Sequence, residues 1–308
     1  RLSRDVLPRH YALELRPDLD EHTFTGTVAI DVEVATATDR ITCNAAELVV
    51  LDAAVIVDGE RTALSASLDE AAERLVLLAP SPLVPGRARL ELAFSGLLNN
   101  RLRGFYRSTL VGADGVEQTV ATTQFQSTDA RRAFPCFDEP DMKASFGVTL
   151  VVPEDLLAVS NGAEVSRTPL GDGTDRVVFA DTIELSTYLV AFVVGPMEAT
   201  DPVDVDGVPV RIIHPPGRGD QTAFALEVAA HSLRWLADWY GIDVPGGKVD
   251  LVALPDFAFG AMENLGCITF REVLLLVDPE SADQRELESV ASVLSHELAH
   301  LWFGDLVT

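Results

Sequence analysis

The sequence predicts an α+β protein of two domains, with strands in the first domain and a mixture of strands and helices in the second. Its 308 residues are more than one ordinary hydrophobic core organises. Short runs of alternating apolar and polar residues fill the chain up to about residue 200, and helical periodicity begins only after that point. We therefore expect an all-β domain over 1–200 and an α+β domain over 201–308.

The strands of the first domain are predicted from a hydrophobic period of two. The run FTGTVAIDVEV at 24–34 alternates in this way, and ARLELAF at 88–94 and SFGVTLVVP at 145–153 repeat the pattern. Turn-forming sequences separate such runs, namely VDGE at 57–60, LVPGR at 83–87 and GDGTD at 171–175. Many short strands with little helix are typical of an antiparallel sandwich or open barrel.

A first helix is predicted in the second domain, after a strand over VRIIHP at 210–215. Asp220 is a suitable N-cap, and Gly241 is a typical C-terminal stop. One stripe of the helix collects large side chains, namely Phe224, Val228, His231, Trp235 and Trp239. We expect this stripe, including His231, to pack in the core rather than to bind a ligand.

A second helix is predicted at the end of the chain. A strand over KVDLVALP at 248–255 and an extended segment over ITFREVLLLV at 268–277 precede it. The helix begins near Asp283, where DQRE forms a capping box. Apolar residues then recur at helical spacing, namely Leu287, Val290, Ala291, Leu294, Leu298 and Leu301.

Composition narrows the function classes. The net charge of -25, from 48 acidic and 23 basic side chains, repels phosphate backbones and argues against a nucleic-acid partner. The longest apolar tract, LVAFVVGPM at 189–197, is far below the roughly 20 residues of a membrane span, so we expect no membrane contact. The three widely spaced cysteines, Cys43, Cys136 and Cys267, indicate inert thiols in a reducing compartment. A cytoplasmic monomer is expected.

The sequence HELAH at 296–300 lies within the last predicted helix. Residues four apart share a helix face, so His296 and His300 can direct a ring nitrogen at one zinc ion. Glu297 points to the side, where it can act as general base on a zinc-activated water that attacks a carbonyl carbon. The pattern predicts hydrolysis of an amide bond.

A second motif, FGAMENLG at 259–266, lies about thirty residues upstream. Gly260 and Ala261 offer backbone that an extended peptide can approach, and Glu263 can attract a free α-ammonium group. A glycine-bearing turn with a solvated Glu is the alternative, and from the residues alone it is the stronger interpretation. The paired acids of FDEP at 137–140 are similarly interpreted as structural.

The two motifs together, GAMENLGCITFRE and HELAHLWFGDLVT, resemble the zinc aminopeptidase N family of gluzincins, which includes the alanyl and puromycin-sensitive aminopeptidases. The resemblance extends over nearly the whole chain, through stretches such as LPRHYALELRPDLDEHTFTG, TTQFQSTDARRAFPCFDEPDMKASF and KVDLVALPDFAFGAMEN. It implies a β-saddle N-terminal domain followed by a thermolysin-like catalytic domain. The implied activity is removal of single residues from peptides with a free N-terminus.

The resemblance also implies a role for each matching residue. His296 and His300 become ligands of one catalytic Zn²⁺, Glu297 the general base and Glu263 the carboxylate that binds the substrate amine. For the remaining positions the resemblance implies substrate contacts: Gly260 and Ala261 with the substrate backbone, Met262 and Gln124 with the first side-chain pocket.

One position departs from the family pattern. Gln126 stands where most of these aminopeptidases have Glu, and a neutral amide adds no Coulomb attraction for an ammonium group. A related epoxide hydrolase that is also an aminopeptidase resembles this sequence there. That enzyme is one alternative, and a non-enzymatic peptide-binding module is the other.

The family's third zinc ligand, a Glu, and its catalytic tyrosine are expected beyond residue 308. Because the chain starts at Arg1 and stops just after HELAH, we expect it to be part of a longer protein whose catalytic domain is truncated here. The 308 residues alone are predicted to be inactive, since the zinc site and the oxyanion site are both incomplete.

Overall fold

The structure, a computed structural model, describes residues 1–112 and 115–308 and is mostly β-sheet with two α-helices. The chain folds into two compact units. The first unit comprises Arg1–Tyr106, Thr123–Glu154 and Glu164–Val190. The second comprises Arg107–Thr122, Asp155–Ala163 and Ala191–Thr308, so three stretches from the predicted first domain belong to it, namely 107–122, 155–163 and 191–200. The predicted boundary at residue 200 stays a prediction.

The strands are numbered in chain order. They are β1 (Val6–Asp18), β2 (Thr23–Val34), β3 (Thr38–Asn44), β4 (Val49–Val57), β5 (Glu60–Ala63), β6 (Ser65–Asp69), β7 (Arg74–Leu83), β8 (Gly86–Leu97), β9 (Gly104–Val111), β10 (Glu117–Gln124), β11 (Ser145–Pro153), β12 (Leu157–Ser160), β13 (Glu164–Pro169), β14 (Thr174–Phe179), β15 (Phe192–Gly195), β16 (Glu198–Ala199), β17 (Val203–Val205), β18 (Val208–His214), β19 (Val249–Leu254), β20 (Ala261–Met262) and β21 (Cys267–Arg271). The helices are α1 (Ala223–Tyr240) and α2 (Gln284–His300).

The first unit contains an eight-stranded sheet in the order β13-β14-β11-β1-β2-β8-β4-β5 and a three-stranded sheet in the order β3-β7-β6. The alternation predicted from the sequence is confirmed, because the apolar positions of β2, β8 and β11 are buried. Tyr11 stacks on Phe146 in the core with ring centroids 4.6 Å apart, and the Tyr11 hydroxyl oxygen accepts a hydrogen bond from the Phe137 N–H. Each fully buried side chain of this size contributes about 1.5–3 kcal/mol.

The expectation of a purely antiparallel first domain is wrong at one pairing. Strand β1 runs parallel to β11, with His10 opposite Ser145 and Leu15 opposite Leu150. A tight connection makes β1 and β2 antiparallel, whereas β11 follows β1 only after a long stretch of chain and can take either direction. The period of two that predicts each strand is the same in both directions.

The FDEP sequence has a structural role in the first unit, in agreement with the sequence interpretation. Asp138 is buried, accepts a hydrogen bond from Thr187 Oγ1 at 2.7 Å and pairs with Arg131 Nε at 2.9 Å. Both oxygens of this carboxylate are therefore engaged in holding three separate segments together. All three cysteines are buried as well, and burial raises the pKa of Cys43 and of Cys267 to about 12.

The second unit contains the sheet β16-β18-β19-β21-β20, with β17 paired to β18, and most residues of the sheet β12-β15-β10-β9. Strands β18, β19 and β21 are parallel, and β20 lies antiparallel to β21 at the end of its sheet. The extended segment predicted up to residue 277 is wrong, since β21 ends at Arg271 and a 3₁₀ turn over Glu272–Leu274 follows.

Helix α1 differs from its prediction at one end and on one face. It begins at Ala223 rather than after Asp220, because the Thr222 hydroxyl bonds the Gly219 carbonyl and closes a 3₁₀ turn first. Its stop is confirmed, since Gly241 has φ +64° and donates to Ala237 O. The predicted packing of His231 in the core is wrong, because His231 is exposed.

The large aromatic side chains of α1 also face outward. Trp235 is 53% exposed and Trp239 70% exposed, and the two indoles stack on each other with centroids 5.3 Å apart. The buried stripe instead consists mainly of small residues and leucines, namely Ala225, Ala229, Ala230, Ser232, Leu233 and Leu236.

Helix α2 follows its prediction closely. Asp283 accepts a hydrogen bond from the Glu286 N–H at 2.9 Å, which is the cap expected from DQRE. Val290, Leu294 and Leu298 are buried at the predicted spacing. Across residues 1–112 and 115–308, neither helix combines the length and apolar character needed to cross a membrane.

Candidate active site

The last turn of α2 brings the two histidines of HELAH side by side. His296 Nε2 lies 3.1 Å from His300 Nε2, and the two rings are nearly perpendicular with centroids 4.7 Å apart. Two nitrogens bound to one tetrahedral zinc at about 2.0–2.1 Å would lie about 3.3 Å apart. The spacing of the two nitrogens therefore fits a shared metal ion.

A backbone contact selects the tautomer of His300. Its Nδ1 lies 2.8 Å from Phe303 O, and because a carbonyl oxygen only accepts, Nδ1 carries the proton. In the neutral ring, Nε2 then keeps its lone pair for a metal, as in many zinc sites. Gly304 has φ +142°, and a Cβ there would come within 3.0 Å of His300 Nδ1, so the turn after α2 favours glycine.

Two buried carboxylates lie next to His300. Ligand atoms of Glu263, Glu297 and His300 all lie within 4.8 Å of one another, and each glutamate is only 7% exposed. Burial, and then the charge of Glu263, raise the pKa of Glu297 to about 7, while His300 lowers it. Two close buried acids favour a cation between or beside them. The interpretation of Glu263 as a solvated turn residue is wrong.

The close group does not coincide with the predicted ligand pair. His296 meets His300 but is not among the three residues whose ligand atoms lie within 4.8 Å of one another. His300 is common to both sets. Imidazole nitrogens are common zinc donors, and the spacing of the two Nε2 atoms suits one ion, so the residues fit zinc through His296 and His300.

Strand β20 carries the GAMEN residues at the end of its sheet. Ala261 pairs with Phe270 and Met262 with Thr269, while Gly260 O accepts from the Arg271 N–H at 2.9 Å. Met262 is buried, and Gly260 and Ala261 are half-buried. The sheet thus fixes one side of this short strand immediately before Glu263.

Gln124 and Gln126 belong to the first unit, at and just after the end of β10. Gln124 is 2% exposed, and within residues 1–112 and 115–308 neither its amide oxygen nor its amide nitrogen has a partner. An unsatisfied buried amide is costly, and such a group is often retained to meet a ligand. Gln126 is exposed. The roles of both residues stay predictions.

Sequence reasoning missed two residues that hold the Glu263 segment. Lys248 and Asn161 are buried and donate hydrogen bonds to carbonyls of residues that follow Glu263. A signal for Lys248 is present, because Lys248 and Asp250 are the two charged residues of the otherwise apolar strand predicted over 248–255. Asn161 offers no comparable signal, since it lies far away in the sequence.

Comparison with known proteins finds similarity over nearly the whole chain. The Peptidase M1 N-terminal domain matches residues 7–189, and the Peptidase family M1 domain matches residues 224–308. The puromycin-sensitive aminopeptidase of Caenorhabditis elegans is 42% identical over 311 residues, covering 100% of this chain and 33% of that protein. Aminopeptidase M1 of Arabidopsis thaliana is 43% identical over 313 residues, covering 100% of this chain and 35% of that protein.

A yeast relative extends the comparison. The alanine/arginine aminopeptidase of Saccharomyces cerevisiae is 38% identical over 317 residues, covering 100% of this chain and 36% of that protein. The chain thus spans about a third of the length of the curated relatives it matches. Since the N-terminal domain match alone covers more than half of its residues, the chain belongs to peptidase family M1.

Proposed function

We propose that this chain carries the metal-binding and amine-binding residues of a zinc aminopeptidase. The observation that carries the proposal is the meeting of the His296 and His300 Nε2 atoms, 3.1 Å apart, beside two buried carboxylates. Family membership and the names of the relatives, all of them aminopeptidases, support the same reaction class. The substrate is a peptide with a free N-terminus.

Each residue has a separate task in the proposed reaction. His296 and His300 would hold zinc, which would supply Lewis-acid polarisation of the scissile carbonyl and of a water molecule. Glu297 accepts the proton of the attacking water and passes it to the leaving amine, and the raised pKa of this buried carboxyl suits that exchange. Glu263 holds the α-ammonium group of the substrate.

In the proposed reaction, β20 at the end of its sheet recognises the rest of the substrate. Gly260 and Ala261 pair with the substrate backbone by strand addition, Met262 borders the first side-chain pocket and Gln124 supplies the free amide. Gln126 adds no charge to amine recognition, so Glu263 carries most of it.

Two measurements on the complete natural protein test the proposal. Elemental analysis is expected to find one zinc per chain, and alanine p-nitroanilide is expected to be hydrolysed while its N-acetyl derivative is not. Protein without stoichiometric metal would favour the non-enzymatic peptide-binding module instead. An epoxide added to the substrate panel separates the epoxide hydrolase alternative, to which Gln126 points.

We also propose that the 308 residues alone are inactive, because the zinc ligands assigned among residues 1–112 and 115–308 are two imidazoles, those of His296 and His300. Chelator-sensitive hydrolysis by the purified 308-residue chain would contradict this. The remaining proposals concern architecture and location: a β-saddle N-terminal domain, a thermolysin-like catalytic domain, a monomer and a cytoplasmic protein. An experimental structure, light scattering and cell fractionation test them in turn.

A further inference from the structure

Lys248 is a buried cation that the proposed reaction does not use. Its Nζ donates to Ser160 O at 2.7 Å, to Gly266 O at 2.6 Å and to Asp250 Oδ2 at 2.7 Å. These three bonds match the three donors of an ammonium group. Lys248 thus links the end of β12, the strand β19 and the residue that lies three positions after Glu263.

The charge of Lys248 is balanced within the same group. Asp250 is 1% exposed, and its Oδ1 accepts a hydrogen bond from Arg211 Nε at 2.7 Å. Burial raises the pKa of Asp250, but the charges of Lys248 and Arg211 outweigh burial and lower this pKa overall. The carboxylate therefore stays ionised. A buried, paired ammonium of this kind is fixed in position, because moving it would leave a charge without a partner.

Asn161 makes a second link to the same turn. Its Nδ2 donates to Leu265 O at 2.8 Å, while its Oδ1 accepts from the Ala191 N–H at 2.8 Å. Both polar ends of the amide are therefore engaged, one of them on the residue two positions after Glu263. Together, Asn161 and Lys248 hold two successive carbonyls.

The turn after Glu263 depends on this close approach. The Cys267 N–H donates to Asn264 O at 2.9 Å, and Gly266 has φ +70°. A Cβ at Gly266 would collide with the backbone oxygen of Asn161. The segment from Asn264 to Cys267 is thus a tight turn pressed against the chain that carries Asn161.

We propose that Lys248 and Asn161 are positioning residues for amine recognition: they hold the turn at 264–267 and so set the place of the Glu263 carboxylate. Strand β20 fixes the chain just before Glu263, and the two side chains fix it just after. The inference rests on the proposed function, since it assigns a purpose to the position of Glu263. It adds that recognition of the amine depends on residues that never touch the substrate.

The test measures amine recognition separately from metal binding in the complete protein. Two inhibitors share a metal-binding group, alanine hydroxamate with an α-amine and propanohydroxamate without one. The inhibition constant of propanohydroxamate divided by that of alanine hydroxamate is the ratio that reports the contribution of the amine. Because misplacement of a binding group by about 1 Å can cost on the order of 100-fold, Lys248→Met is expected to lower this ratio about 10-fold or more. The constant for propanohydroxamate should stay within about 2-fold, since the metal centre is unchanged.

Three further variants make the result specific. Asn161→Ala is expected to lower the ratio as well, and it decides the matter if Lys248→Met does not fold. Arg211→Met also removes a cation from the Asp250 carboxylate. The hydrogen bonds of Arg211 to Asp250 do not involve the turn, so the ratio should stay at the wild-type value. In a Glu263→Ala background, Lys248→Met should cause no further fall, because both changes remove the same contribution.

Folded Lys248→Met and Asn161→Ala proteins with the wild-type ratio would overturn the positioning role. An equal fall in Arg211→Met would also overturn it, because the effect would then belong to the charge group as a whole. A wild-type protein that binds neither hydroxamate, or shows no preference for the amine, would instead overturn the proposed function.

Discussion

The two helices of the second unit have similar amphipathic sequences but use them differently. In α2 the large aliphatic residues Leu294 and Leu298 are buried, and the histidines lie on the more open side. In α1 the largest side chains, Trp235 and Trp239, face outward, while Ala225 and Ala229 are buried. Hydrophobicity alone therefore does not decide which face of a helix is covered.

Close approach explains the difference. Ser232 Oγ of α1 lies 3.0 Å from Ser295 Oγ of α2, which requires small side chains where the helices meet. Two indoles on that face of α1 would hold the helices apart. The contrast implies that changes on the α2 surface affect chemistry, that changes in the small-residue stripe of α1 affect stability, and that changes in its tryptophans affect little.

The largest effect is expected at His300, the proposed metal ligand at the end of α2. His300→Ala removes one of two imidazoles, so the complete protein should lose stoichiometric zinc and its hydrolytic activity should fall to background. Elemental analysis after dialysis measures the metal. His231→Ala, which removes an exposed imidazole from α1, is the matched control and should retain both zinc and activity. Zinc retained at wild-type affinity in His300→Ala would contradict its assignment as a ligand.

A smaller but still large effect is expected one turn earlier on the same helix. Glu297→Gln keeps the shape of the side chain but removes the proposed general base, which should lower kcat by about 10²–10⁴-fold. Zinc content should not change, because Glu297 is not assigned as a ligand. Steady-state kinetics with alanine p-nitroanilide, run beside the zinc assay, check both statements. Turnover within about 2-fold of wild type would remove Glu297 from the mechanism.

The small-residue stripe of α1 should be sensitive in stability rather than in chemistry. Ala229→Leu adds three carbons where the side chain is fully buried, and overpacking of this kind costs about 1–3 kcal/mol. Denaturant unfolding of the variant and the wild type measures the loss. Ala223→Leu, an exposed position on the same helix, is the matched control. Equal stability of all three proteins would mean that the small-residue stripe of α1 is not closely packed.

The cap of α2 is expected to matter less. Asp283→Ala removes the acceptor of the Glu286 N–H, which should cost about 1 kcal/mol. Asp283→Asn retains the acceptor and should restore most of that loss. A fall in stability of the same size in Asp283→Asn would show that charge at the helix start, and not the hydrogen bond, is responsible.

The sequence was sufficient for features that depend on local pattern. The alternation in β2, the cap at Asp283 and the stop at Gly241 are each fixed by a few neighbouring residues, and all three are confirmed. The i, i+4 spacing of His296 and His300 likewise requires only that α2 be a helix. The family itself was recognisable because GAMEN and HELAH occur in their usual order.

Features that depend on distant partners were not predictable in this way. The parallel direction of β1 and β11 and the exposed face of α1 are decided by which elements pack together, not by their own periods. The burial of Glu263 was also missed, because the residues that enclose its segment come from elsewhere in the chain. Asn161 lies in a short segment that joins the second unit only through the fold.

The smallest effect is expected at the exposed tryptophans. Trp239→Ala removes a side chain that is 70% exposed and whose principal ring contact is the stack on Trp235, so it should cost only about 0.5 kcal/mol. Trp302→Ala is the matched control, because Trp302 is 3% exposed and its Nε1 donates to Ile242 O at 3.1 Å. Removal of a buried Trp costs about 3–5 kcal/mol. If denaturant unfolding gives both variants the same loss, the tryptophan face of α1 is covered in the folded protein and the contrast between the two helices fails.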